Sequence, residues 1–123
     1  MNNENVSILI CDDSILARKN LSSILSALGF SNINEVSNGQ AAVDYVKEQA
    51  PDIVFLDIIM PVKDGITATK EIKEINPATT VVICSSVGTQ SHLREAIKAG
   101  AKDFIQKPVE GAMVKQVIDH ITR

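Results

Sequence analysis

The sequence predicts an α/β domain in which five strands alternate with five helices around a parallel sheet. Three observations predict it. Short apolar runs recur with no polar alternation inside them, the signature of strands buried on both faces. Between them lie segments whose apolar residues recur every three or four positions, as on one face of a helix. Aromatic residues make up only 3% of the 123 residues and there is no Trp, so the core must be built from Ile, Val, Leu and Ala layers. Strict alternation of this kind implies right-handed crossovers and a sheet covered by helices on both faces.

Each element follows from its own residues. Val6 to Cys11 is the first apolar run and stops at Asp12-Asp13-Ser14, where Asp13 or Ser14 is placed to cap the next helix. That helix buries Ala17, Leu21, Ile24, Leu25 and Leu28, and Gly29 ends it. Asn32 to Val36 is a weak second strand suited to a sheet edge. Asn38-Gly39 opens a second helix with Ala42, Val43 and Val46 inward, and Pro51 stops it. Ile53 to Leu56 is the third strand, and Pro61 and Gly65 force a loop after it.

The third helix runs from Gly65 to Ile75, with Ile66, Ala68, Ile72 and Ile75 apolar, and Asn76-Pro77 ends it. Thr80 to Cys84 is a β-branched fourth strand that finishes in Ser85-Ser86. Gln90 to Ala99 is a short helix expected to turn Leu93, Ala96 and Ile97 inward, closed by Gly100. Lys102 to Ile105 is the fifth strand and leads into Lys107-Pro108. Glu110 to Ile121 is the last helix, with Val114, Val117, Ile118 and Ile121 on one stripe.

Composition narrows the function classes. A formal net charge of −3, spread along the chain, lacks the basic face that nucleic acid requires. No apolar run approaches the roughly 18 residues of a membrane span. The polar Met-Asn-Asn-Glu-Asn start is unlike a signal peptide. Cys11 and Cys84 have no metal-type spacing and read as reduced core residues of a cytoplasmic protein. His92 and His120 fall among polar helix residues and read as solvated.

In parallel sheets of this kind, ligands bind beyond the carboxyl ends of the strands. Here strand one ends in Asp12-Asp13, strand three in Asp57, strand four in Ser85 and strand five in Lys107. Taken singly, Asp13 could be a helix cap, Ser85 a turn residue and Lys107 a solvated lysine. Together they fill one edge of the sheet. Three carboxylates in one crevice repel, and protonation or a cation must relieve the repulsion; hard oxygen ligands make Mg2+ the natural cation. A lysine ammonium and a serine hydroxyl beside them complement a phosphoryl group. Asp57 is thus placed to attack an activated phosphorus, with Mg2+ and Lys107 neutralising the transferring charge.

The motifs Ile-Cys-Asp12-Asp13-Ser, Phe-Leu-Asp57-Ile-Ile-Met-Pro, Cys-Ser85-Ser86 and Ala-Gly-Ala-Lys-Asp-Phe104-Ile-Gln-Lys107-Pro108 stand in order across nearly the whole chain. In these the chain resembles the receiver domain of two-component response regulators, most closely the free-standing CheY-like chemotaxis type. The resemblance implies a flavodoxin-like (βα)5 doubly wound sandwich with strand order 2-1-3-4-5. It implies that Asp57 is the phosphoacceptor, that Asp12, Asp13, Asp57 and the backbone carbonyl of Ile59 hold Mg2+, and that Ser85 and Lys107 bind the phosphoryl oxygens. Lys107-Pro108 would be cis, and Phe104 would be a switch aromatic that moves with the hydroxyl of Ser85. Many members carry Thr at the position of Ser85 and Tyr at that of Phe104. Ile59 sets an apolar side chain beside the reactive carboxylate, where it would hinder a hydrolytic water.

The resemblance further implies a histidine kinase as phosphodonor and a control surface on helix four, strand five and helix five. Residues 1–123 read as a single receiver with no DNA-binding output domain, so the downstream target is another protein, such as a flagellar switch component. A phosphorelay intermediate or a phosphate-sink receiver shares the same motifs. A Mg2+-dependent aspartyl-phosphate hydrolase fits less well, because Ile59 stands where that chemistry wants a second acid. A flavin or nucleotide site fits less well too. The loop after strand one is acidic, where phosphate cradling needs glycines or hydroxyls.

Overall fold

The computed structural model describes residues 3–86 and 90–122. Five strands and five helices alternate: β1 (Ser7–Cys11), α1 (Ile15–Ala27), β2 (Asn32–Val36), α2 (Gly39–Gln49) and β3 (Ile53–Leu56), then α3 (Gly65–Ile75), β4 (Thr80–Ser85), α4 (Gln90–Ala99), β5 (Asp103–Gln106) and α5 (Gly111–Ile121). All strand pairs are parallel and the sheet order is β2-β1-β3-β4-β5, as the motif pattern implied. The chain goes outward from β1 to β2, then crosses back to β3. The order therefore reverses between β1 and β3, and the crevice for a ligand opens at their carboxyl ends.

Alternate strand residues feed two cores. Leu9, Val54, Val81 and Ile83 pack beneath α2, α3 and α4. Ile8, Ile10, Phe55 and Val82 pack beneath α1 and α5. Every residue of β3 is buried, which explains why its sequence shows no alternation. Each large aliphatic side chain removed from water in this way contributes about 1.5–3 kcal/mol before conformational entropy is counted. Cys11 and Cys84 are free, buried and assigned to opposite faces of the sheet. Among the described residues no helix is long and apolar enough to cross a membrane.

Side-chain caps start three helices where the sequence places them. Ser14 Oγ accepts from the Ala17 amide at 3.2 Å, Asn38 Oδ1 from Ala41 at 2.8 Å, and Asp64 Oδ1 from Thr67 at 2.8 Å. Gly29 follows α1 at φ +98°, a left-handed angle that closes the helix without a Cβ penalty.

Two expectations are corrected. Leu93 and Ile97 were expected to face inward, yet they are 39% and 48% exposed, and only Ala96 of α4 is buried. The contact of α4 with the core is made by one small residue, Ala96, with Ala101 joining it just beyond the helix. That stripe is too narrow to cover the bulky side chains on its flanks. The fifth strand lies one residue later than expected, because its register pairs Val82 with Asp103 and Ser85 with Gln106. Lys102 still donates its amide to the carbonyl of Val81 at 2.8 Å.

Candidate functional site

Asp57 sits one residue past β3, and its amide still donates to the carbonyl of Cys11 at 3.0 Å. The sheet ladder thus fixes the backbone that carries the carboxylate. The start of α3 clamps it from the other side. A Cβ on Gly65 would collide with the carbonyl oxygen of Asp57, so only glycine allows this approach. The Gly65 amide donates to the Ile58 carbonyl at 2.7 Å, and Thr69 Oγ1 donates to the Gly65 carbonyl at 2.7 Å. Asp57 Oδ1 accepts from the Ile58 amide at 2.7 Å, and Oδ2 accepts from Lys107 Nζ at 3.0 Å.

Asp12 follows β1 and is held as firmly. Its amide donates to the Val36 carbonyl at 3.2 Å. Its Oδ1 accepts from the Ser14 amide at 2.9 Å, and its Oδ2 from Lys107 Nζ at 2.5 Å. Lys107 is fixed at the strand end because its own amide donates to the Ser85 carbonyl at 2.9 Å; the peptide bond that follows, to Pro108, is cis. One ammonium therefore bridges two buried carboxylates. Asp13 is exposed and its carboxylate makes no hydrogen bond or ion pair with a described residue. Asp12, Asp13 and Asp57 each bring an oxygen within 4.8 Å of the others.

Three acids against one lysine leave the crevice with an excess of negative charge. Burial pulls the Lys107 ammonium's pKa down. The hydrogen bonds and charges of Asp12 and Asp57 outweigh that and leave it raised. Burial, reinforced by the same carboxylates, pushes the Cys11 thiol up to about 12. Burial likewise takes Cys84 to about 12, against the lowering influence of Lys107. Both are therefore inert thiols. The donor set of three carboxylates, one of them without a partner among the described residues, is all hard oxygen and fits Mg2+.

Ser85 is fully buried at the end of β4. Phe104 is half-buried and packs against the α2–α4 core. Ile59 is 64% exposed, and residues 87–89 after Ser85 lie outside the described residues. Pro108 is exposed. With Cys84, Leu16, Leu21 and Phe55 it lines an apolar cavity of about 250 Å³ behind the Asp12–Lys107 pair. The sequence reading passed over Arg18. Its Nη1 donates to the Asp12 carbonyl at 2.7 Å. A single arginine on a helix otherwise read by its apolar stripe gave no signal of this.

Residues 8–119 match the response regulator receiver domain family. The chain belongs to the response regulator receiver family. It is 46% identical over 112 residues to the chemotaxis protein CheY of Bacillus subtilis, covering 91% of this chain and 93% of that protein. It is 42% identical over 116 residues to CheY of Thermotoga maritima, covering 94% and 97%. Among solved structures, the complex of CheX, CheY, BeF3 and Mg2+ from Borrelia burgdorferi superposes with a TM-score of 0.92 at 35% identity. That match covers 96% of this chain and 90% of the other. This receiver is thus a phosphoacceptor signalling domain homologous to CheY, a switch in a two-component system.

Proposed function

We propose that Asp57 is the residue phosphorylated and that Asp12 and Asp13 hold the Mg2+ that the reaction requires. The observation that carries this reading is the convergence of three carboxylates within 4.8 Å, with Lys107 joining two of them. When bound, Mg2+ supplies charge neutralisation for a phosphoryl group in transit. The backbone carbonyl of Ile59 is the further protein ligand in this reading.

The chain's own residues account for the transfer. An oxygen of Asp57 attacks the phosphorus of a phosphohistidine on the kinase. An O–P bond forms, the N–P bond breaks, and the imidazole leaves with the electron pair and takes up a proton. The backbone of Asp57, pinned by β1 and α3, keeps the nucleophile aimed and costs no reorganisation. Lys107 gives up one carboxylate and pairs with the phosphoryl oxygens as a point charge. Ser85, buried at the strand end, donates its hydroxyl to the same group. Drawing Ser85 inward rearranges the neighbouring Phe104 and biases the surface of α4, β5 and α5. To carry that surface from about 1:99 to 99:1, these contacts must favour one state by about 5.5 kcal/mol.

Hydrolysis returns the switch to rest through attack of water on the aspartyl phosphate, which the domain itself promotes. Ile59 slows that step by occupying the approach of water. The downstream target is a protein, and similarity to CheY proteins favours a chemotaxis output in a cytoplasmic setting. The Borrelia CheY solved with CheX supports protein partners of this kind.

Beryllium fluoride, a phosphoryl mimic present with CheY in the Borrelia structure, tests the reading. Added with Mg2+ to 15N-labelled protein, it should shift the amides of Asp57, Ser85, Phe104 and α4. An Asp57→Asn variant should show none of this. Unchanged spectra for the wild type would refute the proposal.

A further inference from the structure

Arg18 lies on α1, the first helix beyond the acid loop, and its guanidinium makes two directed contacts. Nη1 donates to the carbonyl oxygen of Asp12 at 2.7 Å, and Nε donates to Glu35 Oε1 at 3.0 Å. Glu35 belongs to β2, opposite Ile10 in the register of β1 and β2. Both side chains of this ion pair are partly withdrawn from solvent, at 16% and 28% exposure. The guanidinium therefore ties a helix, a strand and the acid loop together.

The contact to Asp12 bears on Asp13. The Asp12 carbonyl and the Asp13 amide belong to one planar peptide unit, so holding the oxygen fixes the orientation of the whole plane. The amide of Asp12 is fixed on the other side by the carbonyl of Val36. Asp12 then has its carboxylate set by Ser14 and Lys107. Asp13 has no described partner for its carboxylate, so its aim depends on the backbone that carries it.

We infer that Arg18 and Glu35 are positioning residues that orient the Asp12–Asp13 peptide so that both carboxylates converge on the bound metal. The inference rests on the proposed Mg2+ site. Charge alone predicts the opposite sign from positioning. A guanidinium held on the backbone of the acid loop opposes a divalent cation there, so its loss should tighten Mg2+ binding on Coulombic grounds. Loss of a positioning contact should weaken it, typically by about tenfold or more. Lysine keeps the charge and most of the aliphatic stem but not the planar fork that reaches two acceptors.

Calorimetric titration with Mg2+ of the wild type, Arg18→Met, Arg18→Lys and Glu35→Gln decides between them, with thermal melting as the check on folding. The positioning role predicts dissociation constants about tenfold weaker for both arginine variants, with no rescue by lysine. It predicts a smaller weakening for Glu35→Gln. That variant sits at a sheet edge and keeps the question open to measurement should an arginine variant fail to fold. A wild type that binds Mg2+ while Arg18→Met binds equally or more tightly overturns the inference, as does full rescue in Arg18→Lys. A wild type that binds no Mg2+ overturns the underlying site reading instead.

Discussion

Lys107 Nζ lies 3.0 Å from Asp57 Oδ2 although the two residues are 50 positions apart in the chain. The same nitrogen also holds Asp12, so the ammonium pairs with carboxylate oxygens that the proposed Mg2+ site would also draw on. On the proposed reading, Lys107 and Mg2+ compete for these carboxylates. Lys107→Met should therefore bind Mg2+ more tightly than the wild type in a calorimetric titration, while accepting phosphoryl groups more slowly. Weaker binding in the variant would show that Lys107 organises the acids and does not compete for them.

Val62 carries φ +70° and is 81% exposed, and the Lys63 amide donates to the Pro61 carbonyl at 2.7 Å across it. It is the centre of a tight three-residue turn, in a backbone region that a β-branched residue occupies only under strain. Asparagine tolerates that region and little buried surface would be lost. Val62→Asn should stabilise the protein by about 1 kcal/mol, raising the melting temperature by a few degrees. An unchanged or lower value would place the strain elsewhere.

The two buried thiols give a pH dependence with a definite sign. Cys11 and Cys84 keep their protons to about 12 when folded, whereas an unfolded chain loses them near pH 8.5. The folded state then holds more protons, so stability falls as pH rises between those values, by up to about 1.4 kcal/mol per pH unit for each thiol. The raised Lys107 works in the same direction only above about pH 10.4, where an unfolded lysine begins to titrate. Chemical denaturation between about pH 8.5 and 10 should show a shallower decline for Cys84→Ala than for the wild type. Parallel slopes would mean that the thiol reaches water in the folded protein.

Ile59 follows Asp57 by two residues and exposes most of its side chain. If Ile59 shields the aspartyl phosphate as proposed, Ile59→Asn replaces that apolar group with one able to hold a water there. Loss of phosphorylated protein, followed by mass spectrometry, should be several-fold faster in the variant. An equal lifetime would remove the shielding role.

Much of this was legible in the sequence, for physical reasons. The apolar runs of β1, β3 and β4 have no polar alternation because both faces are covered, and that burial carries the parallel sheet with it. Asp12, Asp57, Ser85 and Lys107 could be brought to one edge because parallel strands all end on the same side. Leu93 and Ile97 misled because helical spacing shows a stripe but not how much of it a neighbour covers; the core contact of α4 is made by Ala96. Arg18 was missed because its partners come from a strand 17 residues away and from a backbone carbonyl. A carbonyl acceptor leaves no trace in residue type.

The central claim is that Asp57 takes a phosphoryl group in a reaction that depends on Mg2+. Intact mass after incubation with a small phosphodonor such as acetyl phosphate, with and without Mg2+, tests it directly on the wild type and Asp57→Asn. The account predicts a gain of one phosphoryl group in the wild type with Mg2+, and none without the metal or in the variant. A gain that persists in Asp57→Asn, or that ignores Mg2+, would contradict it.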